Sequence, residues 1–413
     1  MGMSDTADVV VVGLGAFGSA VLYQLAKLGV RVIGVDRFDP PHTMGSSHGE
    51  TRITRLAVGE GDAYAPVVRR SHAIWRELEA ESGETLMRQT GGLIMAPNGS
   101  AARHHGKENF VHRSFTVADR FAIDHERLEA DEIARRYPQF QLRGDELGYF
   151  EPTAGMLTPE ACVSVQLRLA RARGAIVRTN EHVLEITQEA GGVRVSTEQG
   201  TIHAGRAVLT VGPWLRKLVA SPLRPMVRPY RQVLHWFQPE QPAMFAVGRF
   251  PIFIWMHGER EEDYFYGFPM PEGAAGVKVA TESYKNDVDA DLVDRLVSEA
   301  ESASMFAEHV HGRLRGVTPR VVNASACLYT VTPDSGFIID KMPDQDLVMA
   351  ISCCSGHGFK HSAAIGEAVA QTLAGTQDQI DLSPFSLDRL RIPTMSDSDS
   401  NGRRTLIPTQ AGR

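Results

Sequence analysis

Cysteine is scarce in this chain. Cys162, Cys327, Cys353 and Cys354 are the full set in 413 residues, and the adjacent pair Cys353 and Cys354 is poorly placed to bond to itself. No disulfide framework or metal-ligand spacing emerges, so no metal is expected. Long apolar runs are missing too, and none approaches the length that crosses a bilayer. No basic segment, apolar run and cleavage site precede the first expected strand near Asp8, which points to a reducing, cytoplasmic setting. Lys and Arg number 43 against 50 Asp and Glu, a formal net charge of -7. With no basic block in the chain, nucleic acid is not an expected partner, because phosphate binding needs clustered Lys and Arg.

What is present is an ordinary globular composition, 43% hydrophobic and 23% charged, in a chain longer than one hydrophobic core usually serves. Two domains are therefore expected. The first fifty residues hold the strongest local signal. A β-branched run, Val9 to Val12, leads into Gly13-Leu14-Gly15-Ala16-Phe17-Gly18, then a helical apolar pattern, then a second strand ending at Asp36. In such a β-α-β unit Gly13 permits the tight turn, Gly15 admits a pyrophosphate to the backbone, and Gly18 lets helix and strand approach. The phosphates would sit on the helix N-terminus, and Asp36 would accept hydrogen bonds from a ribose diol. Arg37 is a further candidate contact. Asp36 beside it would repel a 2'-phosphate, so FAD or NAD is preferred to NADP.

Further along, the pattern predicts helices over 64–83, 123–136 and 159–173, a strand hairpin over 193–204, and a buried strand over 207–211 that ends at Gly212. Aromatic-rich strands between 225 and 278 predict an antiparallel sheet in a second domain. Helices are expected over 287–300 and 305–314. Strands return with Phe337 to Asp340 and 347–352, followed by the turn Ser355-Gly356-His357-Gly358 and a helix over 364–373. Arg52 and Arg55 would share a face if a helix began near them. The fold class read from this is α/β plus α+β. A Rossmann-like FAD-binding domain, discontinuous in sequence, would take 1–80, 145–222 and 323–393. A substrate domain would take 81–144 and 223–322, and a polar tail over 394–413 would be disordered.

Several stretches together resemble the monomeric sarcosine oxidase and N-methyltryptophan oxidase family. They are the glycine fingerprint, Pro40-Pro41-His42, Ser47-His48-Gly49-Glu50-Thr51-Arg52, Pro229-Tyr230-Arg231-Gln232-Val233, Tyr266-Gly267-Phe268-Pro269, Cys327-Leu328-Tyr329-Thr330, Phe337-Ile338-Ile339-Asp340 and Ser355-Gly356-His357-Gly358-Phe359-Lys360. The resemblance implies an FAD-dependent oxidase of secondary amino acids. An N-alkyl amino acid would give an imine that hydrolyses to amino acid and aldehyde, and oxygen would be reduced to hydrogen peroxide. It implies that Cys327 joins the flavin through a thioether and that Lys278 activates oxygen. His48 and Arg52 would line the flavin with Ser47, Gly356, His357 and Gly358. Arg55 and Lys360 would clamp the substrate carboxylate, Tyr266 would flank the amine, and the enzyme would be a monomer. The carboxylate clamp has a physical basis, since a planar fork and a compact ammonium suit that group inside a dry cavity.

One position departs from the family. Four residues beyond the lysine matched by Lys278, where sarcosine oxidase has a histidine, this chain has Glu282 if no gap intervenes. The loop from Tyr266 to Lys278 also looks one residue longer. A carboxylate there would favour a substrate with a second amine or hydroxyls. Alternatives that fit the same clamp are a dehydrogenase using a non-oxygen acceptor and an oxidase of a cyclic or glycated amino acid.

Overall fold

A computed structural model describes residues 4–220, 222–376 and 380–390. The strand Ser4–Val12 lies inside a parallel arrangement, with Val32–Val35 on one side and Gly200–Leu209 on the other. Its Val9 to Val12 are buried, as a strand covered on both faces requires. The helix Ala16–Lys27 follows the glycine turn. A Cβ on Gly18 would stand 1.8 Å from the Gly13 carbonyl oxygen and 2.6 Å from Thr210 Oγ1, so only glycine lets this helix sit so close to the turn. The strand Gly200–Leu209 then branches the sheet. Its first half pairs antiparallel with Gly192–Thr197 and its last residues pair parallel with Gln345–Ser352. The eight-stranded sheet that results carries the helices Pro159–Ala172 and Ser362–Ala374 against Ala16–Lys27.

A second eight-stranded sheet runs in the order Val317–Val331, Arg228–Pro239, Val277–Ala280, Tyr264–Gly267, Ile252–Met256, Gly92–Pro97, Glu146–Glu151, Glu126–Glu129. It is antiparallel except where Ile252–Met256 meets Gly92–Pro97 in parallel. Side chains alternate across a strand, and here that alternation separates two chemistries. One face sends Phe237, Phe253, Trp255, Phe265, Val277 and Val279 into an aromatic core with Phe140, Phe245 and Phe250. The other presents Leu234, Trp236, Ala280, Cys327 and Tyr329, with Tyr266 and Tyr284 packed beside them. Burying each large apolar side chain of the first face contributes about 1.5–3 kcal/mol, and Phe253→Ala would cost about 3–5 kcal/mol. That core holds the second face rigid. A small third sheet joins Arg52–Thr54, Gly155–Leu157 and Met87–Gln89.

Several sequence expectations change. Residues 287–298 form no helix. Asp289 Oδ1 accepts the Asp291 amide at 2.8 Å and Asp294 Oδ1 the Leu296 amide at 2.9 Å, local bonds that compete with helical ones. The helix begins at Glu299, where Ser298 and Glu301 form a capping box. Within 123–136, Glu126–Glu129 is a strand and only Ala130–Arg136 is helical, while the helix Phe110–Arg120 was not anticipated. Arg52 lies on a strand rather than a helix. Glu146–Glu151 and Val317–Val331, which carries Cys327, belong to the second sheet. The tail over 394–413 lies outside the described residues.

Candidate active site

A cavity of about 350 Å³ opens along the ends of the first sheet, where Gly13, Gly15, Asp36, Ser47, Trp214 and Gly356 are among its walls. Asp36 uses both carboxylate oxygens on backbone amides, of Leu14 at 2.6 Å and Phe38 at 2.8 Å, so it braces the glycine turn. Ser47 Oγ accepts the Ala16 amide at 3.1 Å. Arg37 reaches the rim, where its guanidinium pairs with Asp291 at 2.6 Å. A bare glycine turn, the N-terminus of a buried helix and a cavity that includes both suit a dinucleotide. Gly358 also lines this cavity; Gly18 does not, and its part is helix packing.

A smaller cavity of about 60 Å³ adjoins it, and Arg52 and Tyr329 belong to the walls of both. Arg52 donates from Nη1 to the Thr51 carbonyl and from Nη2 to the Ser46 carbonyl, each at 2.8 Å, and Nη2 is 3.7 Å from Cys327 Sγ. Cys327 itself is fully buried and lines neither cavity. Burial raises its thiol pKa, against the pull of Arg52 and Lys278. His48 is buried, and its Nε2 has no partner among the described residues. Burial, then Arg52 and Lys278, push it down to about 3, so it is a neutral imidazole.

Lys278 comes from the centre of the second sheet. Its ammonium donates to the Gly49 carbonyl at 2.5 Å, the Thr51 carbonyl at 2.8 Å and Thr51 Oγ1 at 3.1 Å, and it lies 4.6 Å from the centre of the Phe268 ring. Burial first, and then Arg52, hold its pKa well below the usual lysine range. Glu160 fixes the acceptor loop by taking the Gly49 amide at 2.6 Å.

The far wall of the smaller cavity is a chain of alternating charges. Arg55 donates to Glu60 at 2.9 Å and to the Ala57 carbonyl. Glu60 Oε1 meets His105 Nδ1 at 2.9 Å, and His105 Nε2 meets Glu282 Oε2 at 3.1 Å. Glu282 Oε2 also accepts the hydroxyls of Tyr264 and Tyr284, both at 2.5 Å. Burial opposes every charge here. Even so, Glu282 holds His105 up to about 9, and His105 holds Glu282 down to about 2. Lys360 donates to the His357 carbonyl at 2.6 Å, and burial lowers it to about 7, with Glu60 opposing. Tyr266 Oη lies 3.1 Å from Tyr329 Oη.

Residues 8–372 match the model of the FAD dependent oxidoreductases. The chain belongs to that family. It is 35% identical over 391 residues to monomeric sarcosine oxidase of Bacillus sp. (strain NS-129), covering 94% of this chain and 98% of the relative. It is 32% identical over 388 residues to N-methyl-L-tryptophan oxidase of Salmonella newport (strain SL254), covering 92% and 98%. The open form of NikD, an unusual amino acid oxidase essential for nikkomycin biosynthesis, shares the fold with a TM-score of 0.79 at 23% identity, over 93% of this chain and 98% of that one. Of the dinucleotides left open by the glycine fingerprint, FAD is the one this family uses, and the residues of the larger cavity fit it. No described helix is long and apolar enough to cross a membrane.

Of the residues singled out from the sequence, Arg52, Arg55, Tyr266, Lys278, Glu282, His357 and Lys360 meet around the smaller cavity. His357 turns its ring away from the larger cavity, stacking on Phe337 at 4.7 Å and contacting the Ser335 carbonyl at 2.9 Å. Sequence reasoning missed Glu60, His105, Glu160 and Tyr329. Tyr329 stood inside a quoted motif without a role assigned to it, and the adjacent pair His104 and His105 has no spacing that links it to Glu282.

Proposed function

We propose that this FAD-dependent oxidoreductase oxidises the CH–NH bond of an N-alkyl amino acid and passes the electrons to oxygen. The observation that carries this reading is the convergence of two buried cations, Arg55 and Lys360, with Tyr266 and Lys278 on one small cavity next to the dinucleotide cavity. FAD, when bound, would supply the acceptor for the two electrons that leave the substrate CH–NH unit as it becomes an imine. The chain supplies the rest. Arg55 and Lys360 take the carboxylate, and Tyr266 with Tyr329 closes one side of the amine site.

Oxidation needs a neutral amine, and neither member of the Glu282–His105 pair is a base that could make one. Glu282 is too acidic at about 2, and His105, held up to about 9, is already protonated at neutral pH. That pair therefore leaves the amine to shed its proton elsewhere or to enter neutral. The imine product hydrolyses to the amino acid and an aldehyde. Lys278, aimed by three acceptors and short of its usual basicity, is placed to become a full cation when negative charge develops beside it. That favours oxygen as acceptor over a quinone or protein. The tether through Cys327 belongs to this reading by resemblance.

The test is an anaerobic screen of N-alkyl amino acids against the visible absorbance of the flavin, followed by admission of air. Bleaching, then one peroxide and one aldehyde per substrate, is the expected result. If no secondary amine bleaches the flavin, the reading fails. Bleaching without peroxide would replace the oxidase with a dehydrogenase.

A further inference from the structure

Resting on that reading, the geometry points to a second recognition site in the same cavity: the substrate carries, besides its carboxylate and secondary amine, a cationic group that seats on Glu282 Oε1.

The two oxygens of Glu282 are treated differently. Oε2 takes three donors, from His105, Tyr264 and Tyr284. Oε1 receives none from any described residue, although Glu282 is buried and forms part of the cavity wall. The space before Oε1 is kept by Gly356, since a Cβ there would stand 3.0 Å from that oxygen. A carboxylate oxygen that faces a cavity without a protein donor is left to water or to a ligand's donor.

The charges name the ligand. Glu282 is ionised, and among the described residues the one cation touching it, His105, is shared with Glu60. Arg55 pairs with Glu60 through Nη2 as well, and Lys360 donates to the His357 carbonyl. A neutral hydroxyl could donate to Oε1, but a charged donor to an ionised acceptor is about twice as strong, and burial widens the difference. Position sets the scale. Lys278 lies on the strand Val277–Ala280 and Glu282 two residues beyond its end, and both line the same cavity. The reacting amine lies between them, and the second cation is several bonds away from it. The chemical class is an N-alkyl diamino acid.

The experiment uses the Nα-methyl derivatives of 2,4-diaminobutyrate, ornithine and lysine. Each is paired with the compound in which methyl replaces the distal ammonium, and with the one in which hydroxyl replaces it. The holoenzyme should favour at least one ammonium compound over its methyl partner by about tenfold or more in kcat/KM. Glu282→Gln should bring that ratio towards one through KM, and Glu282→Asp should restore part of it. The inference is overturned if the methyl or hydroxyl partners equal or exceed the ammonium compounds at every chain length. It is also overturned if Glu282→Gln leaves the ratio unchanged. The wild-type ratios decide the matter even where a variant does not fold. Turnover of methyl partners alone would leave the oxidase reading standing and remove only the cation seat.

Discussion

His105 reaches Glu282 Oε2 through Nε2 at 3.1 Å, while its other ring nitrogen lies 2.9 Å from Glu60. Both nitrogens face carboxylate oxygens, so both must donate, and the ring is an imidazolium. The pair ties the loop before Phe110–Arg120 to the end of a strand in the second sheet. The His105 backbone is left-handed at φ 49, a conformation a side-chain-bearing residue keeps only where its surroundings enforce it. The network therefore shapes the cavity as well as charging it.

Breaking this network should show as a pH-dependent loss of stability. The folded pKa of His105, about 9, lies above its ordinary 6.5. Its contribution is then full below pH 6.5 and is lost as pH rises through 9. His105→Gln should cost about 3 kcal/mol at pH 6, and the gap from wild type should narrow steadily towards pH 10. Urea unfolding of both proteins across that range measures it. A gap constant with pH would mean that His105 is not charged in the folded chain.

Lys360 should set the alkaline limb of substrate capture. In the free enzyme burial holds it to about 7, so the ammonium that would grip a carboxylate is lost as pH rises through that value. Arginine keeps its charge throughout. Lys360→Arg should move the alkaline fall of kcat/KM upward by a pH unit or more, even if its maximum is lower. An unchanged limb would assign the fall to another group.

How much of this was legible in the chain follows from distance along it. Gly13, Gly15, Gly18 and Asp36 form one continuous β-α-β unit, so their roles could be argued from order alone. Cys327 and Lys360 were singled out because each sits in a recognisable motif, and Arg55 and Lys278 because they match positions of the family that those motifs resemble. The Glu60, His105 and Glu282 network joins residues 45 and 177 positions apart, and no periodicity encodes such a contact. The failed helix over 287–300 has the opposite cause. Its helical-looking pattern was overridden by local side-chain bonds of Asp289 and Asp294 and by Lys217 holding Asp289 and Asp291 at 2.7 and 2.5 Å.

Replacing Lys278 and Cys327 should separate oxygen chemistry from attachment. Lys278→Met removes the group placed to stabilise negative charge, and reoxidation by oxygen should slow by about a hundredfold or more, far beyond any change in anaerobic reduction. Cys327→Ser removes the proposed tether, so acid precipitation should leave a colourless pellet where wild type stays yellow. A yellow pellet from the serine variant, or normal reoxidation by the methionine variant, would reject the respective assignment.

The close approach of the glycine turn to the charge network can be isolated with a matched pair of variants. Gly356 has φ +80, and a Cβ on it would stand 2.6 Å from His105 Nε2 and 2.8 Å from Tyr284 Oη. Gly29 has a similar φ of +76, but nothing lies within 4 Å of its Cβ position. Both alanine variants pay for left-handed backbone, about 1 kcal/mol. Only Gly356→Ala must also displace His105 from its carboxylates, which raises its cost to about 3 kcal/mol or more and should lower kcat/KM, whereas Gly29→Ala should leave catalysis near wild type. Equal losses of stability in the two variants would show that the turn and the network are not in rigid contact.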